Sequence, residues 1–408
     1  MKTLLVNSGG GIYVQCCTNT TISGFVYNNT VTGALYGGGG ICIEESYTNT
    51  VTGNVYGNTS GGYGGGIYIY DSDSNSISGD VYENVVNNVP LSFYGGGGIM
   101  LQSWSFYTTI SGKVYKNIVN GLSDATGGGI TVYDTCRYIR IAGPVYSNTN
   151  AAADAIGGGI YANMNNDNDI EISGPVFGNV SYADAGGIAL LSKAGKITGP
   201  VYNNSAADNG GGIYLSCDNT FIHCSIYSNI SGLGAGIITM SGADNNNISN
   251  TYIFGNYSTN YGGGICFFQG INNMVYGGTV IANNRAATAG SGLYIDQSSP
   301  MILDSFITNN YADTYDSVIG MHLANNTVIS NCRISGTNSS FAFALYEEGG
   351  NTINHGLYTN LFATNALGYL YYDFGGSIIS NHEIDVLNTG ADARHNADPS
   401  TGNVSTSF

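Results

Sequence analysis

The residues Gly210 to Asn229, Gly-Gly-Gly-Ile-Tyr-Leu-Ser-Cys-Asp-Asn-Thr-Phe-Ile-His-Cys-Ser-Ile-Tyr-Ser-Asn, form one complete repeat unit of this sequence. The unit opens with a glycine run that ends in Ile213. The same opening recurs at a mean spacing of about 28 residues, with Ile at 12, 41, 67, 99, 130, 160, 188, 213, 237 and 265 and with Leu293. A single unit of this length cannot bury its own apolar face, so the recurrence predicts a solenoid of stacked units.

Each unit contains three short apolar segments separated by turns. The first follows the glycine run, as in Ile67-Tyr68-Ile69. A second, Ile/Val-Ser/Thr-Gly, lies about ten residues later, and a third, Val-Tyr-x-Asn, closes the unit, as in Val81 to Asn84. Alternation with period two and the abundance of β-branched residues indicate strands. The sequence therefore predicts an all-β fold, a right-handed parallel β-helix of about 13 to 14 coils with three short strands per coil.

The regularity of the repeats divides the chain into four parts. Residues 1–8 are predicted to be an N-terminal strand or a truncated first coil, and residues 9–310 to be regular coils. Residues 311–387 read as degenerate C-terminal coils, and residues 388–408 as a polar cap or tail. Because the short apolar stretch after Met1 does not resemble a signal peptide, two interpretations stay open. The chain is a piece or processed form of a longer protein, or its first coil is open.

The third segment predicts an external row of aromatic rings. Val26, Val55 and Val81 follow a polar residue or Phe25, and alternation turns the valines inward and the next residue outward. The closing Asn is expected at a turn, in left-handed backbone geometry, with its amide bonded to the Asn one coil away. The predicted aromatic ladder contains Tyr27, Tyr56, Tyr82, Tyr115, Tyr146, Tyr202 and Tyr227.

Composition limits the classes of partner. The net charge is −17 and only 10 residues are basic, which argues against nucleic acid and against an anionic membrane surface. No apolar run approaches the length of a membrane helix, so insertion into a membrane is not expected. The eight cysteines include no Cys-x-x-Cys pair and read as small fillers of the stack. The sequence does not decide whether Cys217 and Cys224 form a disulfide.

The two recurring boxes resemble the repeats of the chlamydial polymorphic outer-membrane proteins and related bacterial surface β-helices. The Gly-Gly-x-Ile box is clear at Gly38 to Ile41 and Gly262 to Ile265, and the Phe-x-x-Asn box has Val or Ile in place of Phe, as in Val26 to Asn29. The resemblance covers residues 9 to 310 clearly and 311 to 381 weakly. It implies a secreted or cell-surface passenger that adheres or builds structure, although no autotransporter barrel accompanies it here.

The chemistry expected of an enzyme is not apparent in the sequence. The few Lys and Arg are scattered, the paired carboxylates of a β-helical polysaccharide hydrolase are not recognisable, and we expect a non-enzymatic protein. No cofactor is predicted, with Ca²⁺ as the one candidate, at Asp71-x-Asp73-x-Asn75. Against calcium, Ser76 occupies the position that requires Gly, and Tyr82 occupies the position of the bidentate Glu.

Exposed aromatic residues provide the main functional clue. Trp104, the only tryptophan, lies in a predicted turn with Phe106 and Tyr107, and Tyr94 and Tyr133 are expected nearby. Such rings stack on sugars or fill pockets of a partner. The first hypothesis is an extracellular adhesin or glycan- and host-surface-binding passenger. The alternative is a self-assembling subunit of an extracellular filament, joined through uncapped strand edges. A polysaccharide lyase or hydrolase is a minor alternative.

Overall fold

The computed structural model describes residues 9–32, 37–87, 95–121, 125–164, 169–191, 195–314, 317–324 and 327–336, together with the short strands Leu4–Leu5, Phe341–Tyr346, Leu357–Thr359, Phe362–Thr364, Tyr369–Asp373 and His395–Asn396. Every regular element within these residues is a β-strand, and the strands form parallel sheets of a β-solenoid with three strands per coil. The predicted fold class is thereby confirmed. The solenoid has about 11 turns of about 28 residues. The prediction of 13 to 14 had counted degenerate repeats up to residue 387, many residues of which lie outside the described part.

The chain divides into two compact units, Met1–Asp208 and Asn209–Phe408. The first strand follows a glycine-rich run in every coil of the first unit and in the first four coils of the second. In the first unit these strands are Ile12–Gln15, Ile41–Glu44, Ile67–Tyr70, Ile99–Gln102, Ile130–Asp134, Ile160–Met164 and Ile188–Leu190. In the second unit they are Ile213–Leu215, Ile237–Thr239, Ile265–Phe268, Leu293–Asp296, Ser317–His322, Phe341–Tyr346, Tyr369–Asp373 and His395–Asn396.

The second strand of each coil occupies the position of the Ile/Val-Ser/Thr-Gly segment, which is best preserved in the first unit. In the first unit these strands are Thr21–Ile22, Thr50–Val51, Ser76–Ile77, Thr109–Ile110, Ile139–Ile141, Ile170–Ile172 and Gly195–Ile197. In the second unit they are Phe221–Ile222, Asn247–Ser249, Ile271–Tyr276, Ser299–Leu303, Val328–Ser330 and Leu357–Thr359.

The third strand carries the outward aromatic residue in every coil of the first unit and in the first two coils of the second. In the first unit these strands are Val26–Tyr27, Val55–Tyr56, Val81–Tyr82, Val114–Tyr115, Val145–Tyr146, Val176–Phe177 and Val201–Tyr202. In the second unit they are Ser225–Tyr227, Tyr252–Phe254, Val280–Ala282, Phe306–Ala312, Arg333–Gly336 and Phe362–Thr364.

A further short segment follows the closing Asn, where the sequence had suggested only a loop. In the first unit it comprises Thr30–Val31, Thr59–Ser60, Val85–Asn87, Ile118–Asn120, Thr149–Asn150, Val180–Ser181 and Ser205–Ala206, with Leu4–Leu5 paired to the first of them. In the second unit it comprises Ile230–Leu233, Tyr257–Tyr261 and Arg285–Ala286. Most of these segments have only two or three residues, which is too few for a visible alternation, so the sequence pattern did not reveal them.

The interior is a set of in-register aliphatic stacks. Ile67 pairs with Ile99 and Val81 with Val114, so each inward side chain contacts its equivalent one coil away. These four side chains are buried, as predicted. Like-on-like stacking removes apolar surface from water at roughly 25 cal/mol per Å², and no single unit could achieve this alone.

The first strand of several coils is buried on both faces, although its period-two alternation is typical of a strand with one buried face. Its middle residue points away from the interior, yet Cys42, Tyr68 and Met100 are all buried. They form an outer cluster with Tyr63, whose ring stacks on Tyr68 at 5.2 Å. The glycine run lies against this face, because a Cβ on Gly96 would lie 2.9 Å from the Cβ of Met100.

The closing Asn of each coil points inward and is buried, and the residue before it makes the turn. The left-handed residue is thus the x of Val-Tyr-x-Asn, as in Glu83 (φ 55°) and Lys116 (φ 54°). The expectation of left-handed geometry at the Asn itself is therefore wrong. The predicted amide ladder between coils is confirmed, for example from Asn84 Nδ2 to Asn117 Oδ1 at 3.0 Å. A buried amide needs all its partners, and inward-pointing geometry supplies them.

Candidate binding surface

The aromatic ladder of the first unit is a continuous stack of rings. From Tyr27 to Tyr202, neighbouring centroids are 4.8 to 5.1 Å apart, and adjacent ring planes lie within 8° of parallel. In the second unit Tyr227 and Phe254 stack in the same way at 4.8 Å. The outward ladder is therefore present as predicted, and it follows the strand spacing of a parallel sheet.

Stacking decides what the ladder offers to a ligand. Each internal ring has a neighbour on both faces, so a sugar cannot stack on it, and the ladder presents ring edges and hydroxyls. Burial, followed by the neighbouring Tyr146 and Tyr82, raises the pKa of Tyr115 to about 12, so its hydroxyl stays protonated at neutral pH. The ladder is thus a row of hydrogen-bonding edges rather than a sugar platform.

A different aromatic array lies on the turn after the first strand. In two coils of the first unit a buried Ser follows the strand by two residues and its hydroxyl donates to the last strand carbonyl, from Ser46 to Glu44 at 2.6 Å and from Ser72 to Tyr70 at 2.7 Å. In the next coil the equivalent Ser105 bonds to Gln102, three residues back, at 2.9 Å. This turn is therefore one residue longer, and the added length places Trp104 on the outside.

Trp104 is held by the backbone of a tight turn. Ser103 and Trp104 both have left-handed backbones, with φ of 37° and 56°. The backbone nitrogen of Trp104 donates to Thr135 Oγ1 at 3.1 Å, and Ser103 Oγ donates to Asp134 Oδ2 at 2.7 Å. The indole is 57% exposed. A large apolar ring so exposed on a fixed backbone is a typical feature of a contact surface.

Phe106 and Tyr107 extend this surface along the same turn. Tyr107 is 58% exposed and stacks at 4.8 Å on Tyr138, which is 48% exposed. The guanidinium of Arg137 lies over the Phe106 ring, 5.7 Å from its centroid, a cation–π contact. We call Trp104, Phe106, Tyr107, Arg137 and Tyr138 the aromatic edge.

The structure brings three predicted residues together and adds two that sequence reasoning missed. Trp104, Phe106 and Tyr107 lie on the aromatic edge as expected from their proximity in sequence. Arg137 and Tyr138 were missed, although the repeat contained the signal: Tyr138 precedes Ile141 by three residues, as Tyr107 precedes Ile110. Aligning the second strands would have paired them.

Two other predicted residues do not belong to the aromatic edge in the structure. Tyr133 is the penultimate residue of the first strand of its coil and packs, partly buried, against the outer cluster of Tyr68 and Met100. Its carbonyl accepts a hydrogen bond at 3.3 Å from the backbone nitrogen of Ser103, the residue before Trp104. Tyr94 lies outside the described residues.

The proposed calcium ligands are already engaged with the protein. Asn75 is buried, and its Oδ1 accepts from the nitrogen and the Nδ2 of Asn49, both at 3.1 Å. Asp73 Oδ1 accepts from the Phe106 nitrogen at 2.9 Å. Burial, followed by the carboxylates of Glu45 and Asp73, raises the pKa of Asp71. Within the described residues, no group of three or more His, Cys, Asp or Glu side chains is placed to hold a metal ion.

The cysteines and histidines take structural positions in the residues described. All eight cysteines are free thiols, so the Cys217–Cys224 disulfide is not formed. Burial raises the pKa of both thiols to about 12. His322 Nδ1 lies 2.8 Å from Asp296 Oδ1, joining the ends of two adjacent first strands.

Comparison with family models, curated proteins and solved structures finds no match to this chain. Among the described residues, no helix is long and apolar enough to cross a membrane. We therefore infer function from the geometry of the surface itself.

Proposed function

We propose that this chain is a non-enzymatic binding scaffold, displayed outside the cell or on its surface, and that the aromatic edge binds glycans. The observation that carries the proposal is the 57% exposure of Trp104 on a turn lengthened by one residue. A ring pushed outward from a rigid coil loses little conformational entropy on binding, which favours affinity.

The composition of the aromatic edge suits a sugar ligand. Trp104 offers an indole face, and the Tyr107–Tyr138 pair, which joins this coil to the next, offers a second aromatic element. Arg137 and the nearby Asp134 supply hydrogen-bonding groups for sugar hydroxyls. Aromatic faces flanked by a few polar groups are typical of sites that recognise an amphipathic ligand.

Overall charge restricts the ligand further. The net charge of −17 disfavours polyanions, including nucleic acid and highly sulfated polysaccharides. We therefore expect neutral or cationic glycans to bind best, and added salt to weaken binding only slightly.

Glycan-array screening followed by calorimetric titration tests the proposal. We expect Trp104→Ala to weaken binding at least tenfold, in the range of an interface hot spot, and Tyr107→Ala to weaken it less. The matched control is Tyr182→Ala, since Tyr182 is equally exposed at 58% but lies away from the aromatic edge in the repeat. Equal binding by parent and Trp104→Ala, or binding to host protein alone, would overturn the glycan assignment.

The filament alternative depends on the ends of the chain. Residues 1–8 and 388–408, which would form the stacking ends, lie almost entirely outside the described residues. End-to-end assembly therefore stays a hypothesis from the sequence. Electron microscopy across a concentration series tests it, because fibres with an axial repeat of one molecule would support a filament subunit over a displayed binder.

A further inference from the structure

The face that carries the aromatic ladder in the first unit has a concentrated and ordered charge pattern. We call this surface the tyrosine face; it comprises the rings from Tyr27 to Tyr202 and the residues immediately flanking each third strand. On the Tyr82 rung, the flanking residues are Asp80 and Glu83, and on the next rung they are Lys113 and Lys116. Two acids therefore lie directly beside two bases.

These four charges flank the ring stack itself. Burial, followed by the neighbouring Tyr56, Glu83 and Asp80, raises the pKa of Tyr82, so both carboxylates lie close to this ring. Within the chain, Lys113 Nζ lies 3.8 Å from Asp80 Oδ2 and Lys116 Nζ lies 3.4 Å from Glu83 Oε1. Both lysines are exposed, and exposed ion pairs of this kind contribute little to stability. Their side chains can therefore turn to a partner at small cost.

The pattern is complementary to itself under one symmetry operation. A two-fold axis in the plane of the tyrosine face, perpendicular to the ladder and midway between the Tyr82 and Tyr115 rungs, brings a second copy face to face with antiparallel coils. Asp80 and Glu83 of each copy then lie over Lys113 and Lys116 of the other copy. A two-fold axis along the ladder would instead place like charges together.

The apolar residues of the face match in the same register. Counting outward from the axis, the rung of Tyr27 meets the rung of Phe177. Phe25, which is 67% exposed and flanks the first of these rungs, then lies over Pro175, which flanks the second. The constant spacing of 4.8 to 5.1 Å lets every intervening rung align. The charge pairs and the Phe25–Pro175 pair are thus both compatible with this antiparallel arrangement.

We propose that the partner of the tyrosine face is a second copy of this chain, in an antiparallel two-fold dimer. Six rungs at roughly 4.8 Å give a face on the order of 25 Å long, at the small end of stable interfaces. We therefore expect dissociation constants in the micromolar range, with a strong dependence on salt.

Sedimentation analysis of the full chain with two charge variants tests the dimer. The acidic variant Lys113→Glu/Lys116→Glu and the basic variant Asp80→Lys/Glu83→Lys should each self-associate at least tenfold more weakly than the parent, because like charges face each other. An equimolar mixture should recover dimers at or above the parent affinity. This recovery shows that each variant is folded and that the charges act between chains.

The matched control is Arg140→Glu/Lys196→Glu, which makes the same change in net charge on the neighbouring second strands, beside Glu171. This control should dimerise like the parent. A parent that stays monomeric at about 100 µM, a mixture that does not recover dimers, or dimers unaffected by both variants would each overturn the proposal. Because these substitutions lie outside the aromatic edge, glycan binding by the variants reports on the proposed function separately.

Discussion

Asn148 Oδ1 accepts two hydrogen bonds from Asn117, one from the backbone nitrogen at 3.0 Å and one from Nδ2 at 2.9 Å. The same Nδ2 also donates backward, to the Val81 carbonyl at 3.0 Å. Each buried amide therefore links three successive coils, and the relationship repeats from Asn29 to Asn204 in the first unit and from Asn229 to Asn310 in the second. The ladder fixes the register of the stack.

Replacing one Asn of the ladder should show how much these hydrogen bonds contribute to stability. Asn117→Ala removes the Oδ1 that accepts from the backbone nitrogen and the Nδ2 of Asn84. It also removes the Nδ2 that donates to the Val81 carbonyl, and all three hydrogen bonds are buried. Each lost partner costs about 1 kcal/mol or more, so we expect a loss of about 3 kcal/mol measured by urea unfolding. The control is Asn120→Ala, which removes an exposed amide bonded to Asn87 and should cost under about 0.5 kcal/mol. Equal losses in the two variants would contradict the role of the ladder.

The aliphatic stack should not tolerate a charge. Ile160 is fully buried between Ile130 and Ile188. Ile160→Asp should lower the free energy of unfolding by about 4 kcal/mol or more, because an unpaired carboxylate would be buried. Thermal melting checks this, with Ile230→Asp as the exposed control. A parent-like melt of Ile160→Asp would show that the inward assignment is wrong.

One glycine of the run is required for close packing between coils. A Cβ on Gly128 would lie 2.4 Å from the Gly158 carbonyl oxygen, which is backbone and cannot move aside. We expect Gly128→Ala to cost about 2 to 3 kcal/mol in chemical denaturation. Gly24→Ala is the matched control, because nothing lies within 4 Å of its added Cβ. If both variants unfolded at the parent midpoint, the backbones would not be in such close contact.

Thiol labelling should separate two cysteines from the other six. Cys16 and Cys17 are exposed, whereas Cys42 and Cys136 are buried and burial raises their pKa to about 12. The buried thiols therefore carry almost no thiolate at pH 8. Mass spectrometry after treatment with iodoacetamide should find two modified cysteines in the native chain and eight in denaturant. Rapid native labelling at Cys136 would contradict the packing.

Stability should depend on pH through Asp71. Burial and two neighbouring carboxylates raise its folded pKa above the unfolded value near 3.9. Its favourable contribution is thus complete below the unfolded pKa and is lost as pH rises through the folded pKa. Asp71→Asn should then be more stable than the parent at pH 7, with a smaller difference at pH 3.

Asn also tolerates the φ of 44° at position 71, a gain that does not vary with pH. The quantity to measure is therefore the melting temperature of Asp71→Asn minus that of the parent, compared at pH 7 and at pH 3. A difference that grows toward low pH would contradict the raised pKa of Asp71.

Much of the aromatic edge could be predicted from the repeat. Trp104 and Tyr107 were identified because large aromatic residues stood in a predicted turn. Tyr138 could have been found by aligning coils, since stacking brings equivalent positions together. Tyr133 was misassigned, because the sequence does not show that the outer face of the first strand is covered. The sequence therefore suggested that the Tyr133 ring is exposed, whereas it packs against the outer cluster.

The amino-acid sequence was sufficient to predict the solenoid, its period and the direction of most side chains. This prediction was possible because each coil repeats the same alternation, and stacking in register converts local spacing into contacts between coils. Three features required the three-dimensional structure: which residue makes the left-handed turn, how the glycine run covers the first strand, and whether the aromatic rings present faces or edges. These features depend on contacts between neighbouring coils, whose distances and ring orientations no pattern within one coil specifies.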